Sequence, residues 1–332
     1  MSGLVVWDGR WVGRNGIARH AQEVVGRLKG SYQVLKPGRV SPTSPIDALY
    51  LRSVLGLGRG DLFVSPGFNA SAPGRYKQLI TVHDLIHLRV DDETSQAKRL
   101  YYRCIVLPAI RSAGRVLTGS QFSRNEIINW SGLPSEAVVA VGYGCSFAPA
   151  TPAELDRCLG IEAPTILFVG NPKPHKNLSL MVAALRHMRE DVRVVTVGVP
   201  HNYVAQKCEA SGVALSRFSV LEGISDSKLR ELYMTSACVA LPSTYEGFGL
   251  AALEAMAVGT PTAYICDAVH EVVGSLGFRS MSATDGEAYA AALTEAMAIQ
   301  RSARDELIAR SITFSWDTSA QLVEREIVAM RT

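Results

Sequence analysis

The sequence predicts an α/β protein built from two doubly wound parallel-sheet domains, and three observations predict it. Short β-rich runs alternate with helix-length segments, at about the spacing of repeated βαβ units. At 332 residues the chain exceeds one typical core and fits two domains of ordinary size. A stretch dense in Gly and Pro near the middle, 142–152, has the composition of a hinge.

Taken in order, the first strand is expected at 4–7, followed by a glycine-containing loop and an apolar helix running to Leu28. Residues 37–45 are rich in Pro, Ser and Gly and read as a loop. Further strands are expected at 62–65, 79–82, 115–118 and 138–141, where β-formers cluster between turn residues. Ser123 and Glu126 have the spacing of a capping box at a helix start. The second half repeats the theme more cleanly, with strands at 165–169, 192–197, 218–221, 238–241 and 261–265. Leu232, Tyr233, Met234 and Leu241 are expected to build the core of that half. An amphipathic run over 315–330 closes the chain. The domains are therefore drawn as 1–148 and 149–314, with 315–332 as a C-terminal helix.

Composition narrows the class. Hydrophobic content of 47% with 20% charged residues is that of a soluble globular protein. No apolar run reaches the roughly 18 residues of a membrane span, and the N-terminus lacks the basic-then-apolar pattern of a signal peptide. A cytoplasmic location is the expectation. Cys104, Cys145, Cys158, Cys208, Cys238 and Cys266 form no Cys-x-x-Cys pair, so they are expected as buried thiols rather than zinc ligands or disulfides. The net charge of +3 conceals a division: residues 1–150 hold 18 Lys and Arg against 10 Asp and Glu, leaving 16 against 21 in the remainder. A basic first half suits anionic lipid headgroups or a lipid-diphosphate acceptor, and equally a solvated basic surface. Nucleic acid is not an expected partner.

The chemistry concentrates in the second half. The run Ser243-Thr244-Tyr245-Glu246-Gly247-Phe248-Gly249-Leu250-Ala251-Ala252-Leu253-Glu254 sets one carboxylate before a Gly-Phe-Gly turn and a second inside the following helix. Backbone N–H groups of Gly247, Phe248, Gly249 and Leu250 can hold a diphosphate there, while Glu246 and Glu254 accept hydrogen bonds from hydroxyls on either side. Upstream, Phe168-Val169-Gly170-Asn171-Pro172-Lys173-Pro174-His175-Lys176-Asn177-Leu178 follows a strand and opens a helix. Lys176 supplies a point charge for the same diphosphate, and His175 is a helper that acts only when protonated. At Leu79-Ile80-Thr81-Val82-His83-Asp84-Leu85 an apolar strand delivers His83 to its carboxyl end, with Asp84 either orienting the ring or capping the next element. Gly16, in Gly13-Arg14-Asn15-Gly16, lets backbone approach a phosphate or acceptor closely. No Gly-x-Gly-x-x-Gly or Walker pattern is present, which argues against a dinucleotide dehydrogenase and an NTPase.

These motifs together resemble retaining glycosyltransferases of the GT4 family, similar to bacterial mannosyltransferases of O-antigen and exopolysaccharide synthesis. The resemblance rests on Tyr-Glu-Gly-Phe-Gly-Leu, Leu-Glu-Ala-Met-Ala, Gly259-Thr260-Pro261, the Lys176 segment and Val-His-Asp-Leu. It implies the GT-B fold, two Rossmann-like domains facing across a cleft, and a terminal helix that crosses back to the first. It also implies that Glu246 orients the donor sugar, Glu254 holds the ribose, Lys176 the diphosphate, and that His83 lies by the transferred sugar. The chain departs from the family pattern at His175, where Arg is usual, at Ala18 and His20 in the first loop, and at His270 before Glu271. The donor is expected to be a nucleotide-diphosphate sugar, GDP-mannose favoured, with base selection in loops 198–203 and 223–225. The acceptor is a saccharide or a polyprenyl-diphosphate-linked glycan. No cofactor and no metal are expected, because the chain has no Asp-x-Asp. Alternatives are a sugar-nucleotide epimerase or hydrolase, and a non-catalytic sugar-nucleotide-binding protein.

Overall fold

A computed structural model describes residues 3–13, 15–44, 46–71, 76–157, 164–299 and 301–331. Arg14, Pro45 and Cys158, which the sequence reading touches, lie outside the described residues. The chain divides into two compact units, one of residues 1–144 with 315–332 and one of residues 145–314.

Unit 1 carries strands β1 (Val5–Asp8), β2 (Gln33–Leu35), β3 (Leu62–Ser65), β4 (Lys77–Ile80), β5 (Val116–Thr118) and β6 (Val138–Ala140). A parallel four-stranded sheet has the order β2-β1-β3-β4, and β5 pairs with β6 beside it. The Thr81–Leu117 bridge and the bond from Val82 N–H to the Leu117 carbonyl tie β4 to β5. Strand β1 is buried along its whole length, which is why its sequence is uniformly apolar until Asp8. Strand β2 escaped the sequence reading because it is a short, largely exposed edge, where burial imposes no apolar pattern.

The C-terminal helix Trp316–Arg331 belongs to unit 1. Its Ala320, Val323, Ile327 and Met330 stripe packs against Val5, Trp7, Val24, Leu62 and Leu79, each buried Val or Ile contributing about 1.5–3 kcal/mol. Lys77 Nζ donates to the Met330 carbonyl at 2.7 Å, and Glu324 accepts from the N–H groups of Lys29 and Gly30.

Unit 2 carries β7 (Thr165–Val169), β8 (Arg193–Val197), β9 (Phe218–Leu221), β10 (Cys238–Leu241), β11 (Thr262–Tyr264) and β12 (Phe278–Arg279). They form one parallel six-stranded sheet in the order β12-β11-β10-β7-β8-β9. Numbered from β7, this is the 3-2-1-4-5-6 order of doubly wound folds, read from the opposite edge. Its core joins Ile166, Phe168, Met181, Val194, Ala240, Tyr289 and Leu293 from the strands and the helices laid on them.

Several expectations are corrected. The boundary falls at Gly144/Cys145 rather than 148/149, because Phe147 packs edge-on to Tyr233 and Ala150 N–H donates to the Ala257 carbonyl. Tyr143 is no hinge residue; it is buried in unit 1. The helix Gln121–Ser131 is capped by Ser120, whose hydroxyl accepts from Ser123 N–H at 3.0 Å, so Ser123 is already helical and Glu126 instead pairs with Arg89. Asp84 is resolved as a cap, accepting from Ile86 N–H at 2.9 Å. Cys208, Cys238 and Cys266 are buried thiols, but Cys104 is exposed and Cys145 half-buried. Among the described residues no helix is long and apolar enough to cross a membrane.

Candidate functional site

In an open parallel sheet, ligands bind beyond the carboxyl ends of the strands where the strand order reverses. In unit 2 that point lies between β7 and β10, the two adjacent strands whose chains wind off in opposite directions. The loop after β7 carries His175 and Lys176 on a single 3-10 turn, Pro174–Lys176. The loop after β10 carries Ser243 to Gly249 and opens the helix Leu250–Ala257. The two loops are joined directly, since Thr244 N–H donates to the His175 carbonyl at 2.8 Å.

Across this junction Lys176 Nζ lies 2.6 Å from Glu246 Oε1, with the side chains 21% and 16% exposed. Burial alone would raise the Glu246 pKa. The charge of Lys176 and its hydrogen bond, with a further bond from Ser243, outweigh that and hold it below the usual carboxylate range. Glu246 is therefore ionised at neutral pH. With lone-pair positions used by Lys176 and Ser243, its remaining acceptor capacity suits hydroxyl donors.

Asn177, after Lys176, adopts the left-handed conformation at φ 53°, and its side chain donates to the Ala283 carbonyl at 2.9 Å. The lysine is thus held by a turn rather than at a regular helix start, as its motif had implied. Gly249 sits at φ +102°, and a Cβ there would meet Val269 Cγ2 at 3.1 Å, so the turn before the helix needs glycine. Among the described residues no side chain caps this helix; Ala252 N–H donates to the Gly249 carbonyl at 3.0 Å, and the N–H groups of Leu250 and Ala251 at the helix start are the ones oriented to meet an anion. Phe248 is buried, edge-on to Phe314 at 5.8 Å, so its ring anchors the turn while the backbone carries any ligand contact. One turn into the helix, Glu254 Oε2 accepts from Tyr233 OH at 3.0 Å.

The structure therefore assembles His175, Lys176, Glu246, Gly247, Phe248, Gly249, Leu250 and Glu254 on adjoining elements of unit 2. His83 and Gly16 belong to unit 1. Gly16 begins the helix Gly16–Val25, whose N-cap Asn15 accepts from Ala18 N–H at 2.9 Å.

His83 sits in an aromatic cluster that its own motif does not disclose. Nε2 lies 2.7 Å from the Pro66 carbonyl and Nδ1 meets the Tyr143 hydroxyl. The carbonyl can only accept, so Nε2 carries the proton and Nδ1 accepts from Tyr143. Burial lowers the pKa of His83 to about 4, against a smaller raising effect from the Pro66 bond. His20 packs edge-on to both, with ring centroids 5.1 Å from His83 and 5.4 Å from Tyr143. It is 1% exposed, and neither ring nitrogen has a hydrogen-bond partner among the described residues. Trp316, from the terminal helix, closes the cluster against Tyr143.

Glycines make room for these rings. A Cβ on Gly119 would lie 2.1 Å from Tyr143 Cζ, and one on Gly144 would lie 2.3 Å from the Trp316 backbone nitrogen. Gly119→Ala is expected to destabilise unit 1 by about 1–3 kcal/mol through overpacking, read as a lowered urea midpoint with unchanged slope. A midpoint equal to wild type would show that Tyr143 is not held where the structure places it.

Sequence reasoning also missed a buried network at the other strand ends of unit 1. Arg10 bridges Asp8 at 2.8 Å and Asp47 at 2.6 Å, and Asn69 donates to Asp8 while accepting from Trp11 Nε1. Burial opposes the Arg10 charge, but hydrogen bonds to the two carboxylates keep its pKa raised. The network pins together the loops after β1 and β3, the reversal point of this sheet. Asp8 at the end of an apolar strand, with Arg10 two residues on, was the available signal.

The two Rossmann-like units, with a glycine turn at a helix start and paired carboxylates in the second, have the GT-B fold of nucleotide-sugar glycosyltransferases. The chain is GT4-like in sequence, and residues 159–305 match the family described as glycosyl transferases group 1. It is 28% identical over 234 residues to O-antigen chain mannosyltransferase B of Escherichia coli, covering 65% of this chain and 60% of the relative. It is 27% identical over 195 residues to D-inositol 3-phosphate glycosyltransferase of Kribbella flavida, covering 53% of this chain and 44% of that protein. The chain thus spans about half to three-fifths of the length of these curated relatives. Among solved structures it superposes on HepE of Anabaena in complex with UDP-glucose with a TM-score of 0.71, at 18% identity, over 98% of this chain and 99% of HepE.

Proposed function

We propose that the protein is a retaining, metal-independent hexosyltransferase. In this reading it moves a sugar, mannose from GDP-mannose favoured, to a hydroxyl of a saccharide or lipid-linked glycan in surface polysaccharide synthesis. The observation that carries the reading is the Lys176–Glu246 pair at the strand-order reversal of unit 2, beside the uncapped helix start at Gly249. Lys176 and the first-turn N–H groups would hold the diphosphate and stabilise the charge it gains on leaving. Glu246 would accept from donor-sugar hydroxyls and Glu254 from the ribose, sharing the latter role with the Tyr233 bond. His175 would assist at the diphosphate, and the GT4 resemblance assigns His83 to the transferred sugar.

The relative from E. coli supports a mannosyl donor, and the UDP-glucose complex of HepE supports a nucleotide sugar in general. The absence of an Asp-x-Asp pair supports leaving-group stabilisation by protein groups. No side chain is offered as a covalent nucleophile; transfer on one face, with the departing diphosphate taking the acceptor proton, is the proposed route.

The test is incubation with GDP-mannose and UDP-sugars, with and without saccharide acceptors, in the presence of EDTA. Expected are nucleoside diphosphate release that depends on acceptor, and a product whose anomeric configuration by NMR matches the donor's. A new sugar nucleotide formed without acceptor would instead identify an epimerase. Tight donor binding with no turnover across the acceptor panel would identify a binding protein.

A further inference from the structure

We propose that Tyr143 is the positioning residue of His83: its hydroxyl, together with the Pro66 carbonyl, fixes the imidazole in one orientation and one tautomer beside the transferred sugar. The role rests on the transfer reading above, and it falls to a residue outside every chemical motif of the sequence.

A histidine ring attached at one nitrogen still swings about its broad terminal torsion, and what it can do depends on which nitrogen keeps the proton. His83 is held at both. Nε2 donates to the Pro66 carbonyl at 2.7 Å, and Nδ1 accepts from Tyr143. The backbone beneath the ring is tied as well, since Thr118 Oγ1 donates to the His83 carbonyl at 3.2 Å and Val82 N–H to the Leu117 carbonyl at 2.8 Å. The two ring anchors come from different parts of the chain, Pro66 from the loop after β3 and Tyr143 from the segment after β6. With both nitrogens engaged, the ring meets a sugar as a fixed neutral group, not as an acid or a base.

Tyr143 suits this task because it is itself immobilised. Val141 N–H donates to the Thr118 carbonyl at 2.9 Å, and Ser319 Oγ donates to the Gly142 carbonyl at 2.9 Å. The two residues before the tyrosine are thereby fastened to β5 and to the terminal helix. Its ring packs against Trp316, with centroids 5.8 Å apart, in the space that Gly119 and Gly144 leave. A group held by its surroundings before substrate arrives loses little freedom when it acts.

A phenylalanine would fill the same space. What the tyrosine adds is a hydroxyl, and burying one is costly unless a hydrogen bond compensates it. Here that hydroxyl meets His83. Burial, with the charge of Asp84 next, pushes the Tyr143 pKa well up, so the oxygen keeps its proton and stays a donor to Nδ1.

Tyr143 lies just before the chain leaves unit 1 at Gly144/Cys145, and Trp316 just after it returns at Ser315. The tyrosine is thus placed by the two segments leading out of and back into unit 1, not by the strand that carries His83.

Tyr143→Phe removes the hydroxyl and keeps the ring. The full chain, carrying isotopically labelled histidine, is read by two-bond proton–nitrogen correlation spectra, with His83→Asn identifying the His83 signals. Expected in wild type is the Nε2–H tautomer with an Nδ1 resonance displaced by an accepted hydrogen bond. In Tyr143→Phe that resonance should move to the position of a free acceptor. The kcat of transfer should fall by up to about 100-fold, the scale of a misplaced group at the reacting centre, with the donor KM unchanged. In a His83→Ala background the same substitution should lower kcat no further, because a positioning residue acts only through the group it holds; if that background does not fold, His83→Asn takes its place. Trp316→Phe, which loosens the packing but leaves the hydroxyl, should lower the urea midpoint while His83 keeps its spectrum. An unmoved Nδ1 resonance in Tyr143→Phe would overturn the proposal, and so would an equal loss of kcat in both backgrounds. Absence of any transfer by the wild type would sink the transfer reading instead, and the spectra, recorded without a nucleotide sugar, still decide whether Tyr143 holds the ring.

Discussion

Glu246→Gln is expected to lower sugar transfer by about 10²–10³-fold, the scale of losing one preorganised electrostatic contact. The amide keeps the shape of the side chain but removes its charge, and with it the ion pair that positions Lys176. Lys176→Ala should lose a similar factor, because the diphosphate would depart without its nearby cation. The double variant should lose far less than the product of the two, since paired groups act as a unit. Stability should change as well: leaving one member of a partly buried pair unsatisfied costs about 1–3 kcal/mol. Thermal melts of each variant, run beside the rate measurements, separate the two effects. A folded Glu246→Gln protein with wild-type turnover would remove the site assignment.

The second large effect is loss of stability in acid. In the unfolded chain a histidine titrates near pH 6.5. In the folded protein His83 stays neutral down to about pH 4, and burial, with the charge of His83 next, lowers His20 well below its ordinary value too. Between these values the unfolded state binds more protons, so stability is complete above about pH 6.5 and falls as the pH drops towards 4. For His83 alone the loss over that window is on the order of 3 kcal/mol. Glu246, whose pKa is depressed, adds a loss at lower pH, as its carboxylate is protonated through its folded value. Urea unfolding from pH 7.5 to pH 4.5 measures the slope. His20→Phe keeps an aromatic ring in a place where the imidazole nitrogens have no partner, and should flatten the profile and raise stability at pH 5. Identical slopes in wild type and His20→Phe would show that His20 is not held neutral by burial.

Much of this architecture was legible before any coordinates. Strands β7, β8, β10 and β11 announced themselves because a parallel strand buried on both faces must be a largely continuous apolar run, whereas the edge strand β9, with no fully buried residue, was marked only by its β-forming residue types. The glycines at 247 and 249 signalled a tight turn before a helix, and the turn is there, with Gly249 in a conformation that favours glycine. What escaped was decided by context. Strands β2 and β12 are short and only partly buried, so no pattern marked them. Ser120 and Ser123 are both plausible caps by residue type, and only backbone dihedrals chose Ser120. Tyr143, flanked by two glycines, read as a linker. In fact neighbouring glycines, Gly119 and Gly144, supply the space in which Tyr143 and Trp316 pack around His83.

By itself the sequence determined the repeating strand-loop-helix units and the chemical character of each loop, because hydrophobic period, turn glycines and carboxylate spacing act over a few residues. The tertiary structure alone decided which loops became neighbours. Strand order is not written locally: β7 and β10 pair side by side although two other strands intervene in sequence. Lys176 and Glu246, 70 residues apart, meet at 2.6 Å only because that pairing sets their loops together. The same holds for His20, His83, Tyr143 and Trp316, four residues from distant parts of the chain that share one desolvated cluster, in which burial shifts the proton affinities of His20, His83 and Tyr143.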